Sequence, residues 1–355
     1  MKSKIVKRVI AAFMAATMLT GCGSTGESKT ESTEKGDSEL TTLRVQSMSN
    51  FNGVLLSYIV DQGWAEDAGL NLDIELYASG APANEALAAG LWDVGFQGPA
   101  YVFGSVNNDA KIIATSSDTG GDTLFVREDS DILKSEGFNP TYPDVYGDTD
   151  SVKGTTILYS AGTSTHQLSL EYLEAMGVSA DEVSMVPMDF QTCEQTFSIG
   201  EGDIVALPTP WSTTVTAEHG WQPIAELQDF SSTNTDIICS AEAYEEKADA
   251  LVTFLELCYR AADELEADKE LKVAQILKFY EENGLETTEE SARKEADLRV
   301  FVTSEAARNN EYGKAEADAA DFYAAIGQIE AEQAEQFKEN IKDDLMKKAL
   351  ENLAK

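Results

Sequence analysis

The chain has 355 residues, with 26 lysines and arginines against 63 aspartates and glutamates, and a formal net charge of −37. This balance excludes nucleic acid as a partner, because phosphate contacts need clustered cations. It also excludes attachment to anionic lipid through surface charge. Hydrophobic residues make up 43% of the chain, which is enough for two domains or one large domain.

The N-terminus has the pattern of an export signal. A basic stretch (residues 2–8) precedes an apolar run (residues 9–19) that leads into Leu-Thr-Gly-Cys, ending at Cys22. This order is typical of a secretory signal peptide, and the run is shorter than the roughly 20 apolar residues that span a bilayer. The last four residues resemble a bacterial lipobox. That resemblance implies that residues 1–21 are a cleaved signal peptide and that Cys22 is lipidated, so that the anchor is acyl chains such as palmitate.

Residues 22–40 follow as a polar segment in which only Leu40 is apolar after the cysteine. Such a stretch cannot bury enough surface to offset its ordering entropy. We therefore expect a flexible stalk, and a protein that is exported and held by its lipid on the outer face of the bacterial cell membrane.

Strand and helix patterns alternate from residue 41 onward. The predicted strands are 43–46, 72–76, 92–96, 111–115, 124–126, 155–159, 183–187, 204–207 and 237–238. The predicted helices are 52–68, 80–89, 165–176, 191–199 and most of the chain from 241 to 355. Residues 128–153 look irregular, and 130–150 have the appearance of an insertion. Two alternating series predict an α/β protein with mainly parallel sheets and a helical C-terminal region.

Cysteines and histidines are few. After Cys22 the chain has Cys193, Cys239 and Cys258, an odd number that cannot all pair within one chain. The sequence does not decide whether Cys193 and Cys239 form a disulfide, whereas Cys258 lies on an apolar helical stripe. With two histidines and no Cys-x-x-Cys, we expect no dedicated metal site and no cofactor.

Three blocks of sequence, in order, resemble the solute-binding proteins that serve ABC importers of nitrate, sulfonates, taurine and thiamine precursors. The first is Ser79-Gly80 followed by Asn84 to Gly95, with a helix ending in Gly90 and an Asp-x-Gly. The second runs from Val152-Lys153-Gly154 through Gly162-Thr163-Ser164-Thr165-His166 to Val183, and the third from Gly200 to Ile204 with Pro210-Trp211 beyond. The resemblance covers residues 43–260. In this chain the aromatic residue follows the proline, whereas the family often has it before.

This resemblance implies a two-lobed, type II periplasmic-binding-protein fold. We expect residues 41–120 and 233–355 to form lobe 1 and residues 121–232 to form lobe 2, with two crossings that act as hinges. It also implies a monomeric carrier of a small-molecule solute, whose partners are an ABC permease and its ATPase, and which contacts the membrane through its lipid alone.

The ligand site is expected in loops at the carboxyl ends of the strands, where open α/β sheets bind ligands. Two helix starts carry free N–H groups that favour an anion: they are Ser79, Gly80 and Ala81, and Gly162, Thr163, Ser164 and Thr165. A helix cap or a tight turn explains the same residues without a ligand. We expect a structural role for His166, one residue into the second of these helices.

Other candidates come from residue type and place. Phe51 and Trp211 are candidate apolar walls of the cleft, and Gln97 a candidate polar contact. Four aspartates fall in predicted strand-end loops, each a candidate partner for a cargo amine: Asp118, Asp122, Asp189 and Asp236. No arginine falls in these loops except Arg44 or Arg127, so the sequence gives little support for a bidentate arginine clamp.

The cargo expected from these residues is a small sulfonate such as taurine, captured by hinge closure. A solute of aromatic, pyrimidine or thiamine-precursor type with the same fold is the alternative. No catalytic motif such as Gly-x-Ser-x-Gly or His-Glu-x-x-His is present, so we expect a carrier and not an enzyme. A sensor lipoprotein without a transport role and an extracytoplasmic hydrolase are the alternatives from other classes.

Overall fold

The computed structural model describes residues 40–355. The predicted signal peptide, the lipidation site Cys22 and all of the stalk except Leu40 lie outside the described residues. No helix of the described residues is both long enough and apolar enough to cross a membrane.

The described residues contain ten strands and seventeen α-helices. The strands are β1 Thr41–Met48, β2 Leu70–Tyr77, β3 Val94–Gln97, β4 Lys111–Asp118, β5 Thr123–Val126, β6 Thr156–Tyr159, β7 Ser184–Pro187, β8 Ile204–Leu207, β9 Gln222–Glu226 and β10 Asn234–Cys239. The first nine helices are α1 Val54–Asp61, α2 Trp64–Asp67, α3 Gly80–Ala88, α4 Ala100–Asn108, α5 Thr149–Val152, α6 Ser164–Ala175, α7 Phe190–Ser198, α8 Trp211–His219 and α9 Leu227–Phe230. The C-terminal helices are α10 Ala241–Glu246, α11 Ala248–Ala267, α12 Lys269–Glu282, α13 Glu289–Leu298, α14 Ser304–Asn309, α15 Lys314–Ala325, α16 Ala331–Glu339 and α17 Asp344–Leu353. Short 3₁₀ turns lie at Phe51–Gly53, Asp131–Lys134 and Ala180–Glu182.

Two five-stranded sheets organise these elements. The first sheet has the order β2-β1-β3-β10-β4 and the second has the order β7-β6-β8-β5-β9. In each sheet one strand, β10 or β5, runs antiparallel to both of its neighbours. The sheets are therefore mixed, although four strands of each run in the same direction. The predicted lobe boundaries at 120/121 and 232/233 stay a proposal, and the strands of the two sheets fall on either side of them.

Alternating burial explains why each sheet is covered on both faces. In the second sheet, Leu124 and Val126 pack into one apolar cluster while Phe125 packs into another, as expected for side chains that alternate across a strand. Strands β3 and β8 lie inside their sheets and are buried along their whole length, which is typical of strands covered on both faces.

The C-terminal helices complete the first sheet. Side chains from α11 and α12 pack on one of its faces and side chains from α15 and α16 on the other. Backbone bonds also cover its edge strand β4: Asp118 N–H donates to the Val300 carbonyl at 3.1 Å and Val302 N–H donates to the Ser116 carbonyl at 2.8 Å. Pairing of an edge strand in this way blocks association with other chains.

Several predictions from sequence are corrected here. The predicted helix 52–68 is interrupted at Gly63, whose φ is +69°. Helices α4 and α8 and strand β9 were not predicted, and the irregular segment 128–153 includes a 3₁₀ turn and α5. Cys193 and Cys239 are both free and lie in different apolar clusters, so the disulfide left open by the sequence does not form. Buried Cys258 is also free, as the helical stripe predicts.

Candidate functional site

A small polar cavity lies where the carboxyl ends of strands from both sheets meet. Met48, Asn50 and Gly98 line it from the first sheet, and Thr163, Ser164, Phe190 and Pro208 line it from the second. Its volume is about 20 Å³, which is room for about one water molecule. The loops after six strands, β4 with Thr119 among them, thus converge at one place, as expected for an open α/β sheet.

The chain crosses between the sheets beside this cavity. Thr119 N–H in the first crossing donates to the Thr233 carbonyl in the second at 2.9 Å. Gln228 Nε2 donates to the Thr119 carbonyl at 2.6 Å. The two crossings are therefore held together at the cavity, and Thr119 itself lines it.

Arg299 is the charged group in the cavity wall. Only 3% of the residue is exposed, and its Nε and Nη1 atoms are buried with no hydrogen-bond partner in the described part of the chain. Its guanidinium carbon lies 5.4 Å from the centroid of the Phe51 ring, which stacks in turn on Phe301 at 4.6 Å. A buried cation with free donors is an expensive arrangement unless an anion neutralises it.

The backbone around Arg299 is fixed from two sides. Buried Lys272 donates through Nζ to the Ala296 carbonyl at 3.0 Å and to the Arg299 carbonyl at 2.7 Å. The Asp118 carboxylate accepts a bond from Val300 N–H at 2.6 Å. Asp118 is thus committed to holding the segment and is not free for an amine. The segment that carries Arg299 is positioned before any ligand arrives.

Two buried carboxyl groups lie near the Arg299 guanidinium. Asp122 is fully buried and neither of its carboxylate oxygens has a hydrogen-bond partner among residues 40–355. Burial raises the pKa of Asp122, and the Arg299 charge and the Ser164 hydroxyl offset part of that effect. Burial likewise raises the pKa of Glu295, against the Thr209 hydroxyl and Arg299. Neither Asp122 nor Glu295 lines the cavity, so the charged group in its wall is Arg299 and the two carboxyl groups lie outside the lining.

The start of α6 faces the same cavity. Thr163 is the N-cap residue, and its hydroxyl donates to the Ser160 carbonyl at 2.7 Å and lies 2.9 Å from the Thr165 hydroxyl. The first N–H groups of a helix have no acceptor within the helix, and the helix dipole adds positive potential there. Gly162 adopts a left-handed φ of +69° and its N–H donates to His166 Nδ1 at 3.3 Å. Of the four residues predicted here, Thr163 and Ser164 line the cavity, whereas Gly162 and Thr165 do not.

The other predicted helix start lies beside a second, outer cavity. A Cβ on Gly80 would approach the Ala100 Cβ to 2.3 Å, so only glycine allows α3 to pack this closely on α4. Ala81 lines a cavity of about 360 Å³ with Gly162 and His166. Ala100 lines both cavities, which makes the two adjacent. Ser79 is buried and precedes α3 as its N-cap residue.

The predicted aromatic residues lie behind the cavity and not in its wall. Phe51 is fully buried beneath Arg299. Trp211 begins α8, and its ring lies 5.8 Å from that of Phe190, the aromatic residue that lines the cavity. Sequence reasoning thus chose the neighbour of the ring that lines the cavity.

Three predicted polar residues do not meet the cavity. Asp189 caps α7, where it accepts bonds from Thr192 N–H at 2.9 Å and the Thr192 hydroxyl at 2.6 Å. Gln97 is buried and donates to the Asn84 side chain at 3.1 Å. Asp236 lies on the opposite face of β10 from Thr235, which lines the cavity.

Sequence reasoning also missed Arg299, because the C-terminal region was predicted as helix and judged by length alone. A signal was present: Arg299 stands between Leu298, Val300 and Phe301 in an apolar stretch. Arginine is rarely buried without a partner, so a charge inside such a stretch indicates a functional position. The two arginines that the sequence named are structural. Arg44 pairs with Asp93, and Arg127 donates to the carbonyls of Phe197 and Gly202.

The described residues offer no candidate metal site. No group of three or more histidine, cysteine, aspartate or glutamate side chains in residues 40–355 is arranged to hold a metal ion.

Residues 50–271 match the NMT1/THI5-like family. A protein of Brachyspira hyodysenteriae named as an ABC transporter periplasmic binding protein is 32% identical over 351 residues, which is 98% of this chain and 99% of that protein. A binding protein of Brucella abortus is 26% identical over 67% of this chain and 71% of its own length.

Solved structures show the same fold at low identity. The nitrate-binding protein NrtA of Synechocystis PCC 6803 superposes with a TM-score of 0.73 at 12% identity, covering 89% of each chain. The alkanesulfonate-binding protein SsuA of Xanthomonas axonopodis pv. citri, solved bound to MOPS, superposes with a TM-score of 0.65 at 17% identity over 81% of this chain and 94% of that one. The predicted type II periplasmic-binding-protein fold is confirmed.

Proposed function

This chain belongs to the NMT1/THI5-like family, and we propose that it is the solute-binding component of an ABC importer that holds a small organic anion at Arg299 and the start of α6. It acts outside the cytoplasm as a binding protein and not as an enzyme. The proposal rests on one observation above others: a buried guanidinium with free donors faces a helix N-terminus across a closed polar cavity.

These donors determine which anionic group the cargo carries. Guanidinium and helix N–H groups are both suited to sulfonate and carboxylate oxygens. The hydroxyls of Thr163 and Ser164 add donors on the same side. Several donors on different elements can then bind one oxyanion, which neutralises the buried Arg299 charge.

The buried Asp122 carboxyl group, beside the cavity, supports a cargo that also carries an amine. Asp122 has two unpartnered oxygens close to Ser164 and Arg299. An ammonium group there would stabilise the ionised carboxylate, while the sulfonate stabilises the guanidinium. A taurine-like zwitterion meets both needs, and MOPS in the neighbour from Xanthomonas is likewise a sulfonate with an amine.

The outer cavity favours the second candidate, an aromatic or pyrimidine-type solute. Its wall includes the side chains of Phe103, Tyr159 and His166, and the Tyr159 and His166 rings lie 4.7 Å apart. A volume of about 360 Å³ is within the range of small-molecule sites. A cargo with an anionic group and a ring would occupy both cavities.

Closure follows from a cargo that contacts both lobes. Arg299 comes with the first sheet and Thr163 with the second, so a bound anion stabilises the form in which these residues approach each other. The paired crossings at Thr119 and Thr233 act as the hinge. The closed form then docks on the permease and its ATPase, and Cys22 holds the monomeric protein at the membrane by its lipid.

A ligand screen by thermal unfolding tests this function. The purified protein, refolded to remove any carried ligand, is compared with and without taurine, ethanesulfonate, nitrate, benzenesulfonate, phenylacetate and pyrimidines. A sulfonate at 100 times its Kd stabilises the protein by about 2.7 kcal/mol, so the melting temperature rises. No shift with any compound, or a shift with uncharged rings alone, would contradict the anion site.

A further inference from the structure

A third cavity lies at the β4 edge of the first sheet, and residues next to each other in the chain, such as Arg299 and Val300, line the cargo site and this cavity respectively. It has a volume of about 370 Å³ and is enclosed by β4, β10 and the segment from Val300 to Glu316. One side of it is apolar, with Val302, Ala306 and Met346, and the other is polar, with Thr115, Asn234 and Glu316. A ligand here needs both an apolar body and a polar end.

Two buried carboxyl groups stand at the polar side. Glu316 is 1% exposed and lines the cavity, where its Oε1 accepts bonds from the Thr115 hydroxyl at 3.1 Å and Asn234 Nδ2 at 3.4 Å. Asp236 is fully buried, and neither of its carboxylate oxygens has a partner in the described chain. It shares a strand face with Asn234 and is paired in register with Thr115, both of which line the cavity.

Tyrosine hydroxyls without partners surround the same point. Tyr259 lines the cavity and is 2% exposed, yet its hydroxyl makes no hydrogen bond within residues 40–355. The hydroxyls of Tyr312, which also lines the cavity, and of fully buried Tyr101 are likewise unpartnered. Buried polar groups are nearly always hydrogen-bonded, so this concentration of unpartnered carboxylate oxygens and tyrosine hydroxyls marks a place where a polar ligand is expected.

Positive charge is missing from the protein side. The described residues that line the cavity include no lysine or arginine, although Asp118, Glu311 and Glu316 are among them. Arg308, in the neighbouring helix, is used elsewhere: it donates to the Ser304 hydroxyl and the Leu350 carbonyl, each at 3.1 Å. Burial, followed by the neighbouring Glu316 carboxylate, raises the pKa of Asp236 well above its ordinary value, as expected for two acids that lack a counter-ion.

We propose that this cavity is a second ligand site, separate from the cargo site, which binds a primary ammonium cation carrying an apolar chain or ring. The ammonium group donates its three N–H bonds to the carboxylates and tyrosine hydroxyls, and the apolar body packs on Val302 and Met346. A bare inorganic ion would use the oxygens but leave the apolar side and most of the volume without contacts. The tyrosine ring faces add attraction for a cation.

Calorimetric titration of the purified protein with 2-phenylethylamine in 150 mM NaCl tests the site. One positive charge on the probe limits non-specific attraction to the acidic surface, and the neutral analogue 2-phenylethanol measures apolar packing alone. Saturable binding of one amine is expected, with the alcohol at least tenfold weaker. Glu316→Gln, which keeps the shape and removes the charge, is expected to weaken the amine about tenfold or more.

Three further variants make the result decisive. Tyr312→Phe removes one hydroxyl from a half-buried position, so it reports on the site even where Glu316→Gln fails to fold; a severalfold loss is expected. Glu332→Gln, on an exposed face of α16, is the matched control and should leave binding unchanged. Arg299→Gln, in the cargo site, should also leave it unchanged.

Any one of the following results overturns the proposal. The amine does not bind saturably, or Glu316→Gln and Tyr312→Phe both bind it as well as the natural chain. The alcohol binds equally, which would make the cavity an apolar pocket only. Arg299→Gln abolishes binding, which would put the amine in the cargo site. Calcium or potassium ions bind in a Glu316-dependent way while the amine does not.

Discussion

Arg299 and Asp122 are buried charges of opposite sign that make no hydrogen bond to each other. Different elements keep the two groups apart. The bonds that Lys272 donates at the end of α13 fix Arg299, and Asp122 is fixed by its place just before β5. Such a pair is costly to bury without a ligand. We propose that a zwitterionic cargo contacts both groups, and that relief of this cost favours such a cargo over other solutes.

Asp122→Asn tests the amine end of the cargo. We expect the variant to lose at least tenfold in affinity for taurine and to keep its affinity for ethanesulfonate, which lacks the amine, because only the carboxylate partner is removed. Competitive calorimetry with the two compounds measures the ratio. An equal loss for both would show that Asp122 shapes the cavity without contacting the amine.

The buried His166 side chain is expected to make the free energy of unfolding depend on pH. Burial lowers its pKa from 6.5 to about 4, so the unfolded chain binds a proton between these values that the folded chain does not. The stabilisation is therefore complete above pH 6.5 and is lost as the pH falls through 4, and it amounts to about 3 kcal/mol. In His166→Asn the unfolding free energy should lack this part of the pH dependence. Parallel curves for the two proteins would contradict it.

At the scale of elements, the site depends on how the C-terminal segment docks on the first crossing. A Cβ on Gly120 would lie 1.9 Å from the Leu298 carbonyl oxygen, next to Arg299. Any side chain there pushes the arginine segment away from the crossing. We propose that this close approach couples the first crossing to Arg299, the residue proposed to bind the anion.

Gly120→Ala should lower both stability and cargo affinity. Overpacking of this kind costs about 1–3 kcal/mol, and the displaced Arg299 weakens the anion contact. Urea unfolding and calorimetry measure the two effects. Gly98→Ala adds the same methyl group where no atom lies within 4 Å, so its stability should change by less than about 0.5 kcal/mol. A Gly120→Ala protein as stable as Gly98→Ala would refute the close approach.

Local sequence patterns predict most of the helices and strands, whereas the remaining features depend on long-range contacts. Strands such as Ile204–Leu207 and helix ends such as Gly177 are visible in sequence, because alternation and a left-handed glycine are local signals. The start of α6 was found in the same way. Arg299 could not be placed, since its position depends on pairing of Val300 with Asp118, 182 residues earlier in the chain. Asp236 was assigned to the cleft because sequence does not show which face of β10 a residue takes.

In residues 40–355 the two sheets meet around a cavity of about 20 Å³. A solute of several heavy atoms does not fit in that volume without a small separation of the lobes. We propose that entry requires opening at the Thr119 and Thr233 crossings and that capture requires the reverse.

Small-angle X-ray scattering tests this cycle. Saturating cargo should reduce the radius of gyration, because contacts to both lobes favour the closed form. Arg299→Gln, which removes one side of the contact, should keep the larger value at the same cargo concentration. An unchanged radius in the natural protein, with binding verified in the same sample, would contradict hinge closure.

The most direct test of the account is calorimetric titration of the natural protein, Arg299→Gln and Arg127→Gln with taurine and ethanesulfonate. Arg127 is the matched control, since it donates to the Gly202 and Phe197 carbonyls, each at 2.8 Å, and lines neither cavity between the sheets. The account predicts that Arg299→Gln loses at least about a hundredfold in affinity for both sulfonates while remaining as stable as the natural chain, and that Arg127→Gln binds normally but unfolds more easily. Undiminished binding by Arg299→Gln would contradict an anion site at this residue.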